Sequence, residues 1–149
     1  MKLIIPLHKQ EIAYTCVPAC LKMVLSYSGE EYGEKFLAEN CNTTTIGTSA
    51  DDAVSAAEKL GFSAFEAEGS LDILNEYLRH KVPVIVYLRT KYLSWWIDDC
   101  IHALIVTDLC RDKITLIDPS FGKEFECNIQ TFYRSWKEID NLCIIIKKI

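Results

Sequence analysis

The chain has 149 residues, of which half are hydrophobic and a quarter are charged, and its formal net charge is −5. This length and apolar content suit a single domain over residues 1–149. The acidic balance argues against a nucleic-acid-binding protein, which normally carries a basic patch. No stretch reaches the roughly 20 apolar residues of a membrane span, and the apolar run at the start is too short for a signal peptide. We therefore expect no nucleic-acid partner, no transmembrane segment and a cytoplasmic location.

The sequence contains seven cysteines, an odd number at scattered positions with no Cys-x-x-Cys pair. In a cytoplasmic protein this distribution indicates free thiols, most of them small buried hydrophobic residues. Neither paired thiols nor histidines at metal-ligand spacing are present, so we expect no metal site and no cofactor.

The first part of the chain has helical periodicity. Apolar residues recur at helical spacing over 17–27, and a second helix is predicted over 32–39. A third helix begins at a cap formed by Thr48 or Ser49 and ends at Gly61.

The second part is richer in strands. Its predicted elements are a strand over 62–67, a helix over 71–80, strands over 82–88, 103–109, 114–117 and 125–127, a helix over 129–139 and a strand over 142–146. A polar turn at 111–113 joins two of these strands into a hairpin. Helices first and antiparallel strands later indicate an α+β fold rather than a doubly wound α/β fold.

Cys16 stands immediately before the first predicted helix. The free backbone N–H groups at a helix N-terminus favour a negative charge, so a cysteine there has a lowered pKa and can act as a nucleophile. Cys20 lies one turn further into the helix, away from these groups, and is predicted to be a buried, unreactive thiol.

His102 and Asp118 lie on the two strands of the predicted hairpin. If the turn has three residues, Asp118 pairs with Val106, four residues from His102, so both side chains project from one face of the sheet. A two-residue turn would place them on opposite faces. Even the favourable register leaves the two residues apart along the strand, so twist or a bulge must close the gap.

Two further features belong to the same hypothesis. Gln10 precedes Cys16 by six residues, and its amide is suited to donate to a developing oxyanion together with the Cys16 N–H. Trp95 and Trp96 lie just before His102. They form either a local hydrophobic cluster or the wall of a cleft that grips a peptide or acyl chain.

In combination, these segments resemble the bacteriocin-processing cysteine peptidases, papain-like domains that cut leader peptides after a double glycine. The likeness is carried by residues 10–25, 47–62, 102–106, 117–120 and 132–136. It implies a papain-like fold in which N-terminal helices pack on a C-terminal antiparallel sheet. It also implies a triad of Cys16, His102 and Asp118, with Gln10 in the oxyanion hole.

The chain departs from the family pattern in two places. Val17 follows the nucleophile where the family often has glycine, and the segment 91–100 is longer than the usual connection.

The leading hypothesis is therefore a cysteine peptidase that cleaves a leader or precursor peptide. Two alternatives stay open. The same triad could serve deamidation, hydrolysis of a small-molecule amide or transpeptidation, or the chain could be a non-catalytic peptide-binding domain.

Overall fold

The computed structural model describes residues 2–149 and has an α+β architecture. The helices are α1 (Cys16–Tyr27), α2 (Glu34–Asn40), α3 (Ala50–Lys59), α4 (Leu71–Arg79) and α5 (Ile129–Lys137). The strands are β1 (Phe62–Glu68), β2 (Val84–Arg89), β3 (Ile101–Cys110), β4 (Lys113–Asp118), β5 (Lys123–Asn128) and β6 (Leu142–Lys148). The predicted α+β class is confirmed, and the predicted elements are present with ends that move by no more than two residues.

Side-chain caps explain where three of the helices begin. Ser49, Ser70 and Asn128 each accept a hydrogen bond from a backbone N–H in the first turn of α3, α4 and α5. These bonds satisfy amides that have no partner inside the helix. Gly61, with a φ of 93°, follows α3 in a conformation that favours glycine.

The six strands form one antiparallel sheet in the order β1-β6-β2-β3-β4-β5. Helix α1 packs on β3, α3 packs on β1 and α5 packs on β2. The core between helices and sheet is built from large, fully buried side chains, including Trp136, Phe132 and Leu21. No helix in residues 2–149 is both long and apolar enough to cross a membrane.

The register of β3 with β4 decides whether His102 and Asp118 share a face. The connecting turn has two residues, because Cys110 pairs directly with Lys113, and this turn alone would place the two side chains on opposite faces. A bulge at Thr107, between Val106 and Asp108, shifts the register by one residue. Of the two turn lengths considered, the two-residue turn is present, and of twist and a bulge, a bulge is present and restores a shared face.

Beyond the bulge, Ile105 pairs with Ile117. The next step of the ladder sets Asp118 opposite Leu104, two residues from His102, so the two side chains project from the same face.

Candidate active site

Cys16 is the first residue of α1 and is half-buried. Burial opposes ionisation of the thiol, but its interaction with the His102 ring, through hydrogen bonding and charge, outweighs burial and lowers the pKa of Cys16. Backbone hydrogen bonds from Ala103 and Val17 act in the same direction.

His102, the second residue of β3, is almost fully buried. Its Nε2 lies 2.8 Å from Oδ1 of Asp118, so this nitrogen is engaged by the carboxylate. Burial disfavours the charged imidazolium, yet the hydrogen bonds to Asp118 and Cys16 prevail and raise the pKa of His102 to about 9.

Asp118 ends β4 and is fully buried. Its Oδ1 accepts from His102 Nε2 at 2.8 Å and from the Ser120 backbone N–H at 2.9 Å. Its Oδ2 accepts from the indole N–H groups of Trp95 at 2.8 Å and Trp96 at 2.6 Å. Burial favours the neutral acid, but these donors stabilise the carboxylate and lower the pKa of Asp118.

These three residues are linked from thiol to imidazole to carboxylate. The pKa of Cys16 is lowered while that of His102 is raised, so the arrangement shifts the pair toward a thiolate and an imidazolium. The thiolate is the nucleophilic form of cysteine.

The other cysteines have different surroundings. Cys20 is fully buried, its thiol lies 3.6 Å from the Ala103 carbonyl oxygen, and burial raises its pKa well above the ordinary value. Burial also raises the pKa of Cys41 to about 12, and that of Cys127 and Cys143 to about 11 each. The inert character predicted for Cys20 agrees with this environment.

Gln10 lies beside the triad on the segment that leads into α1. Its backbone N–H donates to the Pro119 carbonyl at 2.8 Å, which ties this segment to the end of β4. Its side-chain Nε2 donates to the carbonyls of Ile12 at 2.9 Å and Ala13 at 3.1 Å. The Gln10 amide therefore lines the same cleft as Cys16, with its N–H groups bonded to the segment just before α1.

Ser120 connects Gln10 to the triad, and the sequence argument gave it no role. Its hydroxyl donates to Oε1 of Gln10 at 3.1 Å and lies 3.3 Å from His102 Nε2. The position of Ser120 two residues after an aspartate that ends a strand is the signal that could have marked it, since such residues commonly cap the preceding carboxylate in a turn.

A buried carboxylate also holds the segment before α1. Glu34, at the start of α2, is 3% exposed, and its oxygens accept from the Glu11 backbone N–H and lie 2.8 Å from His8 Nε2 and 2.9 Å from the Thr15 hydroxyl. His8, Glu11 and Glu34 have ligand atoms within 4.8 Å of one another and form the group suited to a metal ion. The hydrogen bonds to Glu34 give this cluster a structural role.

A cleft of about 600 Å³ opens over Cys16 and His102. Its lining comprises Gln10, Glu11, Ile12, Ala13, Tyr14, Cys16, Thr45, Ile46, Gly47, Trp96, Asp98, Cys100, Ile101, His102 and Ser120. Trp96 is therefore part of the cleft wall, whereas Trp95 stacks on Phe125 at 4.4 Å and is not in the lining.

A somewhat larger apolar hollow of about 670 Å³ lies between β1, β6 and α4. Its lining includes Phe65, Ile73 and Tyr77 and contains neither Cys16 nor His102. Size alone would favour this hollow, but the aligned cysteine, histidine and aspartate make the smaller cleft the candidate active site.

The helices packed on an antiparallel sheet, with a cysteine and a histidine meeting in an open cleft, define a cysteine-type peptidase of the papain-like class. The model of the Peptidase C39 family matches residues 5–148, and the chain therefore belongs to this family. No curated protein sequence matches the chain at a significant level.

Solved structures agree with this assignment. The peptidase domain of Streptococcus ComA, a bifunctional ABC transporter involved in quorum sensing, is 25% identical, with a TM-score of 0.81 over 97% of this chain and 98% of that chain. A double-glycine-motif protease from an AMS/PCAT transporter, solved in complex with the leader peptide, is 20% identical, with a TM-score of 0.80 over 99% and 94% of the two chains.

A third neighbour is the N-terminal peptidase C39-like domain of a toxin-secretion ATP-binding protein from Vibrio parahaemolyticus. It is 12% identical and has a TM-score of 0.68 over 93% of this chain and 99% of that chain. The predicted papain-like fold and the predicted family are thus confirmed.

Proposed function

We propose that this peptidase hydrolyses a peptide bond in a leader or precursor peptide, with Cys16 as nucleophile, His102 as acid and base, and Asp118 as the group that orients His102. The observation that supports this proposal most strongly is that Cys16 and His102 line one open cleft and are electrostatically coupled, while His102 is hydrogen-bonded to the buried Asp118 at 2.8 Å.

The proposed reaction begins with the Cys16 thiolate, which attacks the carbonyl carbon of the scissile bond and pushes the carbonyl electron pair onto oxygen. The Cys16 backbone N–H and the Gln10 amide stabilise this oxyanion, for which the Gln10 N–H groups turn from Ile12 and Ala13 toward the cleft. Collapse of the intermediate breaks the C–N bond, and the His102 imidazolium protonates the leaving amine.

The thioester is resolved in a second half-reaction. His102, now neutral, takes a proton from a water molecule, which attacks the thioester carbonyl and releases the carboxylic acid. The sulfur leaves as a thiolate and re-forms its pair with protonated His102. Asp118 stays ionised throughout, because four donors surround it.

A peptide substrate fits the surroundings of the cleft. Ile12, Ile46 and Ile101 line the cleft and are 50%, 96% and 54% exposed, so they offer apolar contacts to an extended chain. Trp96 is proposed to contribute to substrate contact from the wall, and Trp95 to support it from behind. The solved leader-peptide complex of a structural neighbour favours a leader peptide over other peptides.

The alternatives differ in the fate of the substrate. Deamidation, amide hydrolysis on a small molecule and transpeptidation use the same three residues, whereas a peptide-binding domain needs no nucleophile. The assembled Cys16–His102–Asp118 chain favours catalysis over binding alone. The single-domain organisation of residues 1–149 and the cytoplasmic location stay predictions from the sequence.

The test is cleavage of a library of precursor peptides, including peptides with a double glycine, followed by mass spectrometry. We expect the wild type to cut some members, Cys16→Ala to cut none, and Cys110→Ala to match the wild type. Cys110 is an exposed cysteine at the far end of β3 and is a suitable control. Conversion of glutamine to glutamate without chain cleavage would favour deamidation, and cleavage by Cys16→Ala would overturn the proposal.

A further inference from the structure

Asp118 is surrounded by donors from two directions. Its Oδ1 accepts hydrogen bonds from His102 and the Ser120 backbone N–H. Its Oδ2 accepts hydrogen bonds from the indole N–H groups of two consecutive tryptophans, Trp95 and Trp96. A buried carboxylate that uses one oxygen for the histidine can still rotate about its side-chain bonds unless something holds the other oxygen. Two directed N–H donors on that oxygen supply this restraint.

We infer that Trp95 and Trp96 are positioning residues for the proposed reaction, whose indole N–H groups fix the Asp118 carboxylate in the orientation that aligns His102 with Cys16. This inference rests on the proposed function. It gives the tryptophan pair a purpose beyond contact with substrate, because both indoles bind Oδ2, the carboxylate oxygen that His102 does not use.

The segment that carries the tryptophans is closed at its base, so the donors are held in place. Buried Thr90 accepts from the Cys100 N–H at 2.9 Å and donates from its hydroxyl to the Asp98 carbonyl at 2.7 Å. The Arg89 guanidinium also donates two hydrogen bonds, of 3.1 Å and 2.8 Å, to the two carboxylate oxygens of Asp99. A planar, bidentate pair of this kind restricts geometry as well as adding energy.

Aromatic packing restricts the two indole rings further. Trp95 lies parallel to Phe125, with ring centroids 4.4 Å apart and an interplanar angle of 3°. Trp96 meets the His102 ring at 4.9 Å and an angle of 61°, and it meets Phe121 at 6.0 Å. Trp96 therefore contacts both the carboxylate and the imidazole, which links the orientation of the two groups.

The tryptophan pair also stabilises the charged form of the buried carboxylate. In a buried site, loss of two of four donors makes the charged form of Asp118 less favourable, and the carboxylate then takes up a proton at a higher pH. His102 and Cys20 are titratable groups that interact with Asp118 from β3 and α1. Protonation of Asp118 removes the charge that supports the His102 imidazolium and hence the Cys16 thiolate.

The experiment measures the rate at which iodoacetamide alkylates Cys16 as a function of pH, with the Cys16 peptide quantified by mass spectrometry. It compares the wild type with Trp95→Phe, Trp96→Phe and the double variant, in which phenylalanine keeps an aromatic ring and removes the N–H. The control is Trp136→Phe. Trp136 is a fully buried core residue whose N–H donates to the Leu142 carbonyl at 2.9 Å.

The acid limb is the part of the profile in which the rate of Cys16 alkylation rises with pH. We expect this limb to lie about one pH unit higher in the double variant, so that alkylation at a given pH on the limb is about tenfold slower than in the wild type. Trp136→Phe should lower thermal stability and leave the acid limb in place. An unchanged limb in the double variant, or an equal shift in Trp136→Phe, would overturn the inference. If the double variant does not fold, the two single variants decide by the same criterion.

The proposed function fails separately. It fails if wild-type Cys16 is alkylated no faster than Cys110 at acid pH, whatever the tryptophan variants do. The inference fails if wild-type Cys16 is fast and the tryptophan variants are equally fast.

Discussion

Replacement of Asp118 by asparagine tests whether this carboxylate is needed as a hydrogen-bond acceptor, because it changes only one carboxylate oxygen into an NH₂ group. All four partners of Asp118 are donors, and asparagine offers one acceptor oxygen in place of two. If the NH₂ group faces the two indoles, both indole N–H groups lose their acceptor; if it faces His102 and Ser120, the Ser120 N–H loses its acceptor and His102 must change tautomer to accept from the amide. Each unsatisfied donor costs about 1–3 kcal/mol, so Asp118→Asn should lower the free energy of unfolding by about 1–6 kcal/mol.

This loss is large for a domain whose total stability is about 5–15 kcal/mol. The assay is urea unfolding near pH 7, followed by the fluorescence of the tryptophans that contact Asp118. Asp112→Asn, in the exposed turn between β3 and β4, is the matched control and should change stability by less than about 0.5 kcal/mol. Stability of Asp118→Asn indistinguishable from that of wild type would refute the view that this buried carboxylate is the required acceptor for four donors.

Three further predictions follow from the site. The pH dependence of peptidase activity should be bell-shaped, because Cys16 takes up a proton below its lowered pKa and His102 loses its proton as the pH rises through about 9. A pH–rate profile in which activity does not fall near pH 9 would contradict this. Gln10→Ala should lower kcat by about 10²–10³ with little change in KM, and steady-state kinetics that show a rise in KM alone would assign Gln10 to substrate binding. Gly122→Ala should destabilise the fold by about 1–3 kcal/mol in thermal or urea unfolding, because φ is +65° and a Cβ would lie 2.8 Å from the Lys9 Cβ; Gly29→Ala, also at positive φ but in open space, should cost less.

Much of the fold follows from local patterns in the sequence. The stripe of apolar residues in α1 and the Ser49 cap of α3 produce the structure they predict, since helix periodicity and capping act within a few residues. The position of Cys16 at the start of α1 follows from the same local information. The candidate nucleophile could therefore be identified before any tertiary contact was known.

The bulge at Thr107 could not be located from the sequence, which indicated only that twist or a bulge must bring His102 and Asp118 together. The residues of β3 around Thr107 form a continuous buried run, and no glycine or proline marks the irregularity. The two-residue turn alone would place His102 and Asp118 on opposite faces of the sheet, and the bulge at Thr107 reverses this effect. Only the complete pairing of β3 with β4 shows that the two features offset each other.

The role of the tryptophans was also hidden in the sequence. Paired tryptophans indicate a large buried surface, but the partner of each indole N–H depends on how the segment between β2 and β3 folds back over Asp118. Glu34 was missed for a related reason. A glutamate at a helix start suggests an exposed charge, whereas here the segment before α1 covers it and supplies its donors.

The most direct test of the account compares the reactivity of all seven cysteines in the wild-type protein at pH 6, with a limiting amount of iodoacetamide and quantification by mass spectrometry. An ordinary thiol is only about 0.3% ionised at this pH, and burial suppresses ionisation of Cys20, Cys41, Cys127 and Cys143 further. The account predicts that Cys16 is labelled first, well ahead of the exposed Cys100 and Cys110, and that His102→Ala removes this advantage. Labelling of Cys16 no faster than Cys100 and Cys110 would contradict a thiolate–imidazolium pair at the heart of this site.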